Sequence, residues 1–148
     1  MFTSNGPDGD LKLLDFGFSR TYLQGENIKY VAGTPYTMSP EVFTRKAGPP
    51  SDVWAVGVCM YVLLYGRRPF PGKNRHEIEQ KVMDGRFDWL TPIDGFHVSD
   101  IVKDLITKCL TRDPKLRLTA AQALKHSFFT DDVEKVAGSG GSTLYVCV

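Results

Sequence analysis

Asp15 is the residue of this chain most clearly placed to do chemistry. It lies just past a short apolar run, Leu11 to Leu14, on a turn that Gly17 makes permissive. That setting suits a carboxylate reaching out to a magnesium ion, and an ordinary strand-end Asp in a turn is the alternative. The next candidates are hydroxyls. Ser19, Thr21, Tyr22 and Tyr30 lie along a polar stretch, 19–30, with no clear period. The stretch reads as a long loop, and loops of that length are uncommon in compact domains and often functional. His76, His97 and His126 have no metal-ligand spacing and no paired Cys, so they read as ordinary surface or core residues. Cys59, Cys109 and Cys147 are odd in number and widely spaced, which suggests reduced thiols rather than a disulfide framework or a zinc site.

The element that must position these groups is Ser51 to Gly66. Between Val53 and Leu64 every residue is apolar or Gly, so no polar stripe survives at helical spacing. The pattern predicts a central helix buried on all sides, with Ser51 as N-cap, Asp52 at the positive end of the helix dipole, and Gly66 with Pro69 as the stop. A helix of this length falls short of the roughly 20 residues that span a bilayer. Asn74 with Glu77 predicts a capped helix carrying Ile78, Val82 and Met83. Ser99 caps another whose Ile101, Val102, Leu105, Ile106, Cys109 and Leu110 share one face, and Thr119 with Gln122 caps a last one presenting Ala120, Leu124 and Phe128. Arg67, Arg68, Lys73 and Arg75 read as a solvated rim after the central helix. Phe2 to Asp10 is turn chemistry; Gly138 to Ser142 is a flexible linker before a short apolar tail, Thr143 to Val148.

With 148 residues, 42% hydrophobic content and a formal charge of +1, the chain supports one core of ordinary size. The net charge implies no attraction to nucleic acid or membrane, and the absence of a signal-peptide pattern leads to the expectation of a cytoplasmic protein.

Taken in order, Asp15-Phe16-Gly17, Gly33-Thr34-Pro35, Ser39-Pro40-Glu41, Asp52-x-Trp54-x-x-Gly57 inside an apolar helix, and Arg117 in DPKLRLT resemble the C-terminal lobe of a eukaryotic protein kinase. The resemblance runs from Leu11 to about Phe129. GRFDW at Gly85 to Trp89, VSDIVKDLI at Val98 to Ile106 and LTAAQALKHSFF at Leu118 to Phe129 are most similar to the calcium/calmodulin-dependent and calcium-dependent Ser/Thr kinases.

The resemblance implies a mainly α fold: a kinase-like C-lobe fragment with a short strand at its start and a buried central helix. It would occupy residues 1–136, followed by the linker and tail at 137–148. It implies that Asp15 holds Mg²⁺ against ATP phosphates, with Phe16 and Gly17 completing the motif. Ser19 to Tyr30 becomes the activation loop, with Ser19, Thr21, Tyr22 and Tyr30 as acceptors; Tyr30 stands where many relatives carry a regulatory Thr, and a solvated loop is the alternative. Thr34 would hydrogen-bond the catalytic Asp and favour Ser or Thr as acceptor. Thr37 stands where Tyr is usual and Ser39 where Ala is usual. Glu41 and Arg117 resemble the family's buried ion pair, joining the end of the activation segment to the final helices. Asp52 resembles the Asp that accepts backbone N–H groups from the catalytic loop, with a simple helix-dipole Asp as the alternative.

Such a kinase also needs a glycine-rich loop, a strand Lys paired with a helix Glu, and a catalytic-loop Asp and Asn. None occurs in these 148 residues, and Met1 falls about where the residues beyond the catalytic Asn belong. The expectation is a Ser/Thr kinase cut just after its catalytic loop. Alone it would transfer no phosphoryl group and bind neither ATP nor Mg²⁺ tightly. Its expected partners are a protein substrate and either the missing N-terminal half or another protein covering the central helix. A non-catalytic binding module is the alternative. No D-x-D-x-D-G calcium-loop spacing and no calmodulin-target stretch follow Phe129.

Overall fold

The computed structural model describes residues 12–23, 25–26, 28–29, 33–92 and 97–130. A 3-10 turn, Pro35–Thr37, leads into helix α1, Pro40–Phe43. Helices α2 (Pro50–Tyr65), α3 (Arg75–Asp84), α4 (Asp100–Cys109), α5 (Ala120–Ala123) and α6 (Ser127–Thr130) follow. The expected turn at Phe2 to Asp10, together with Leu11, Tyr30, Cys147 and the stretch 131–148, lies outside the described residues.

Helix α2 is the axis of the fold. Val53, Trp54, Val58, Met60, Tyr61 and Tyr65 meet Ile78 and Val82 of α3 and Leu105, Ile106, Cys109 and Leu110 beside them in one buried cluster. Gly57 is what lets α4 come this close: a Cβ at that position would stand 2.7 Å from Cys109 Cβ and 3.0 Å from Leu110 Cδ2. Phe70 stacks on Trp54 at 5.3 Å, and Phe87 and Trp89 close over Tyr61 and Tyr65. Tyr61 anchors that lid by donating to the Asp88 carbonyl at 2.6 Å. Gly66 stops α2 with a left-handed φ of 61° and donates its N–H to Val62 O, the turn that Gly adopts without a Cβ clash.

Several expectations are corrected. Helix α2 is not buried on all sides: Val56 and Leu63 are 42% and 58% exposed, and with Asp52 and Cys59 they form a stripe at helical spacing. No described element lies over it. Ser51 is not the N-cap; α2 starts at Pro50, and the Ser51 hydroxyl donates instead to Glu41 Oε1 at 2.9 Å. Asn74 caps α3 by accepting from Glu77 N, but the Glu77 carboxylate turns to Lys73 N, so the reciprocal half of the box does not form. Ser99 occupies the N-cap of α4 without a side-chain cap bond, and Ile101 is exposed.

The single last helix is two short ones. Thr119 and Gln122 form the full capping box of α5, after which His126 intervenes. Its Nδ1 accepts from Phe128 N at 3.2 Å and its Nε2 meets Asp104 Oδ2 at 2.8 Å, pinning α6 to α4. Ala123 and Phe128 face the core, while Leu124 is 67% exposed. The strand expected at Leu11 to Leu14 does not form at residues 12–14, because backbone donors and acceptors in a strand need a neighbour to pair with. The one β-type pairing among the described residues is an isolated bridge between Ile28 and Ala47. No helix of the described residues is long and apolar enough to cross a membrane.

Candidate functional site

Asp15 has a φ of 64°, the left-handed region that an Asp tolerates when its short side chain bonds locally. That bond is present: Gly17 N donates to Asp15 Oδ1 at 3.2 Å, and Ser19 N closes the next turn on Phe16 O at 3.0 Å. The carboxylate is solvent-exposed, and Gly17 N is the donor it meets among the described residues. The chemistry fits one ligand to a hard cation. No cluster of three or more Asp, Glu, His or Cys side chains that could hold an ion forms among the described residues, and Mg²⁺ requires several oxygens in near-octahedral array.

Ser19, Thr21 and Tyr22 are exposed along the following segment. The Tyr22 hydroxyl accepts from Gly25 N at 3.3 Å, and its ring lies against Gly48. Ile28 N donates to Ala47 O at 3.0 Å, tying the segment to the loop between α1 and α2. Thr34 is exposed and its hydroxyl has no partner among the described residues. Its carbonyl accepts from both Thr37 N and Thr37 Oγ1, each at 3.1 Å. Thr37, which stands where Tyr is usual in the family it resembles, therefore stabilises the Thr34 turn. The aromatic of this turn is Tyr36, half-buried, with the Arg68 guanidinium 3.3 Å above its ring.

From Met38 onward the segment enters the core. Glu41 Oε1 and Oε2 accept from Arg117 Nη1 and Nη2 at 2.6 and 2.9 Å, a bidentate pair with the Arg117 side chain fully buried. The guanidinium also donates to the carbonyls of Pro50 (2.7 Å), Thr111 (2.9 Å) and Arg112 (3.2 Å), and it stands 5.0 Å over the Trp54 ring. Burial, the largest single influence, would raise the Glu41 pKa; the hydrogen bonds to the carboxylate, foremost those from Arg117, and the Arg117 charge together outweigh it and hold the carboxyl below its ordinary value. Asp52 is the contrary case. It is exposed at the start of α2 and its carboxylate accepts no hydrogen bond among the described residues, so crowding around the carboxyl raises its pKa through desolvation.

Glu41 and Arg117 are thus brought together as expected from the resemblance, with Ser51 as an unforeseen third member. Asp15 and Thr34 share no hydrogen bond among the described residues, and Tyr30 lies outside them. Residues 2–129 match the family model of the protein kinase domain. The chain belongs to the protein kinase family. This kinase chain is 43% identical over 132 residues to calcium-dependent protein kinase 25 of Arabidopsis thaliana, covering 89% of the chain and 25% of that relative. It is 39% identical over 137 residues to calcium-dependent protein kinase 34 of the same plant, covering 90% of the chain and 25% of the relative. It is 40% identical over 129 residues to calcium-dependent protein kinase 5 of Plasmodium falciparum, covering 87% and 22%. The kinase chain therefore spans about a quarter of the length of the curated relatives it matches.

Proposed function

We propose that the chain is the C-terminal part of a Ser/Thr protein kinase domain of the calcium-dependent type, acting on protein hydroxyls with ATP and Mg²⁺. The observation that carries this is the Glu41–Arg117 pair: two residues of separate family motifs, 76 positions apart, meet in a buried bidentate bond. That bond fixes the end of the segment bearing Thr34 against α2, while Gly17 N–H orients Asp15. Magnesium, when bound, neutralises the charge that develops on the transferred phosphoryl group. The chain's own residues present one carboxylate to that ion, leave the Thr34 hydroxyl free near the acceptor, and hold the loop between them.

By themselves the 148 residues do not transfer phosphoryl groups, since they supply one magnesium ligand and no phosphate-covering loop. A fusion tests both parts. Placed behind the upstream kinase-domain residues of calcium-dependent protein kinase 25, the chain phosphorylates a Ser/Thr peptide, and Asp15→Ala slows it by about 10²-fold or more. A folded fusion without transfer refutes the catalytic reading. Transfer by the chain alone, abolished by Asp15→Ala, refutes its inactivity. The second reading, a non-catalytic binding module, draws on the exposed Val56, Cys59 and Leu63 of α2, which a protein partner or the upstream kinase half would cover.

A further inference from the structure

The solvated rim after α2 contains one cation that is not loosely solvated. Arg68 is held from both sides. Its backbone is fixed between the left-handed turn at Gly66 and the buried pair Pro69 and Phe70, the latter 1% exposed and stacked on Trp54. Its guanidinium lies 3.3 Å above the ring of Tyr36, which is itself packed against the core from the 3-10 turn. Stacking by one face leaves the N–H edge of the group free, and that edge is the part that binds a carboxylate in bidentate fashion. Arg68 forms no ion pair among the described residues, and neither do the exposed Arg67 and Lys73 on the same connection or Arg75 at the start of α3. Glu77, the nearest carboxylate in sequence, is occupied by Lys73 N and Asn74. With a net charge of only +1 for the whole chain, this is a local imbalance rather than general basicity.

Tyr36 is two residues beyond Thr34, so the stacked cation stands on the turn that carries the free hydroxyl. We propose that Arg68, held on Tyr36, makes this turn select protein substrates with an acidic side chain close to the acceptor hydroxyl. The inference rests on the kinase reading and names the substrate class of that site. Arg68 reads the carboxylate, and Tyr36 positions Arg68.

The test is peptide binding to the 148-residue chain by fluorescence anisotropy, which needs no phosphoryl transfer. Its failure is therefore separate from failure of the kinase reading, which the fusion assay measures. The probes are labelled Ser peptides with Asp or Ala stepped through the positions flanking the Ser. At one position Asp is expected to bind about fivefold better than Ala, the scale of a well-oriented exposed ion pair. The preference shrinks between about 0.05 M and 0.5 M NaCl. Arg68→Gln and Tyr36→Leu abolish it, Arg68→Lys keeps part of it, and Lys125→Gln leaves it intact. No Asp preference at any position, or one unchanged in Arg68→Gln, overturns the proposal. So does tighter binding to single-stranded DNA or anionic phosphatidylserine vesicles than to every Asp peptide, because the rim is then a general anion surface.

Discussion

Cutting either partner of the Glu41–Arg117 pair should cost this fold a large share of its stability. Arg117 is fully buried and makes five donor contacts: two to Glu41 and three to the carbonyls of Pro50, Thr111 and Arg112. Glu41→Ala leaves the guanidinium buried beside carbonyls that carry no full charge. Arg117→Ala leaves a buried carboxylate and three carbonyls without their donor. Each is expected to lose about 3–5 kcal/mol, against total stabilities of about 5–15 kcal/mol for ordinary domains. In thermal unfolding followed by circular dichroism, Tm falls by about 10 °C or more. The double variant is expected to be no worse than the more damaged single one, because it buries no lone charge; the cycle then shows strong coupling.

Acid gives an independent check of the same bond. The Glu41 carboxyl is held below its ordinary value near 4.5. Its contribution is therefore complete above that pH and is lost as pH falls through the depressed folded pKa. Glu41→Gln removes this share of the acid sensitivity. Single variants within about 1 kcal/mol of the parent, or two losses that simply add, would refute the reasoning.

Two further outcomes follow from the core. Gly57→Ala sets a methyl 2.7 Å from Cys109 Cβ, and the overpacking, about 1–3 kcal/mol, exceeds the ~1 kcal/mol gained in helix propensity; a Tm that rises instead shows that α4 can move aside. In a Cys147→Ser background a thiol reagent should modify exposed Cys59 in the native chain and Cys109 only on unfolding, since burial pushes the Cys109 thiol up to about 11; two equally fast phases contradict that burial.

What could be read in the sequence was what local chemistry decides. Gly66 ends α2 because a left-handed residue is needed there, and Thr119 with Gln122 begins α5 because both bonds of the box lie within four residues. Ser51 misled because its hydroxyl chose Glu41, ten positions away, over the helix N–H groups beside it. His126 broke the final helix by a similar choice, offering Nδ1 to Phe128 N and Nε2 to Asp104 across to α4. The apolar run of α2 showed how much surface wants cover, but composition does not say whether the cover lies within the same residues. The Glu41–Arg117 contact was legible only because each residue sits in a motif whose order could be matched. Arg68 on Tyr36 had no such motif, so nothing in the sequence joined them.

The division between framework and chemistry also bears on how the site works. Glu41, Trp54 and Arg117 are each at most 6% exposed and are bound to one another or to α2. Asp15, Ser19, Thr21 and Thr34 are all exposed, and among the described residues from Asp15 to Lys29 the Ile28–Ala47 bridge and the seat of Tyr22 on Gly48 reach the loop between α1 and α2. Segments with few buried contacts open at little free-energy cost. Under the proposed kinase reading Asp15 has to meet a nucleotide in one geometry, which needs more constraint than that. The same segment exposes Leu13, Leu14, Phe16 and Phe18, so under that reading a surface packed on them would supply such constraint. Burying these neighbours would restrict the backbone on either side of Asp15, so under the kinase reading covering the apolar residues and placing the carboxylate would be coupled.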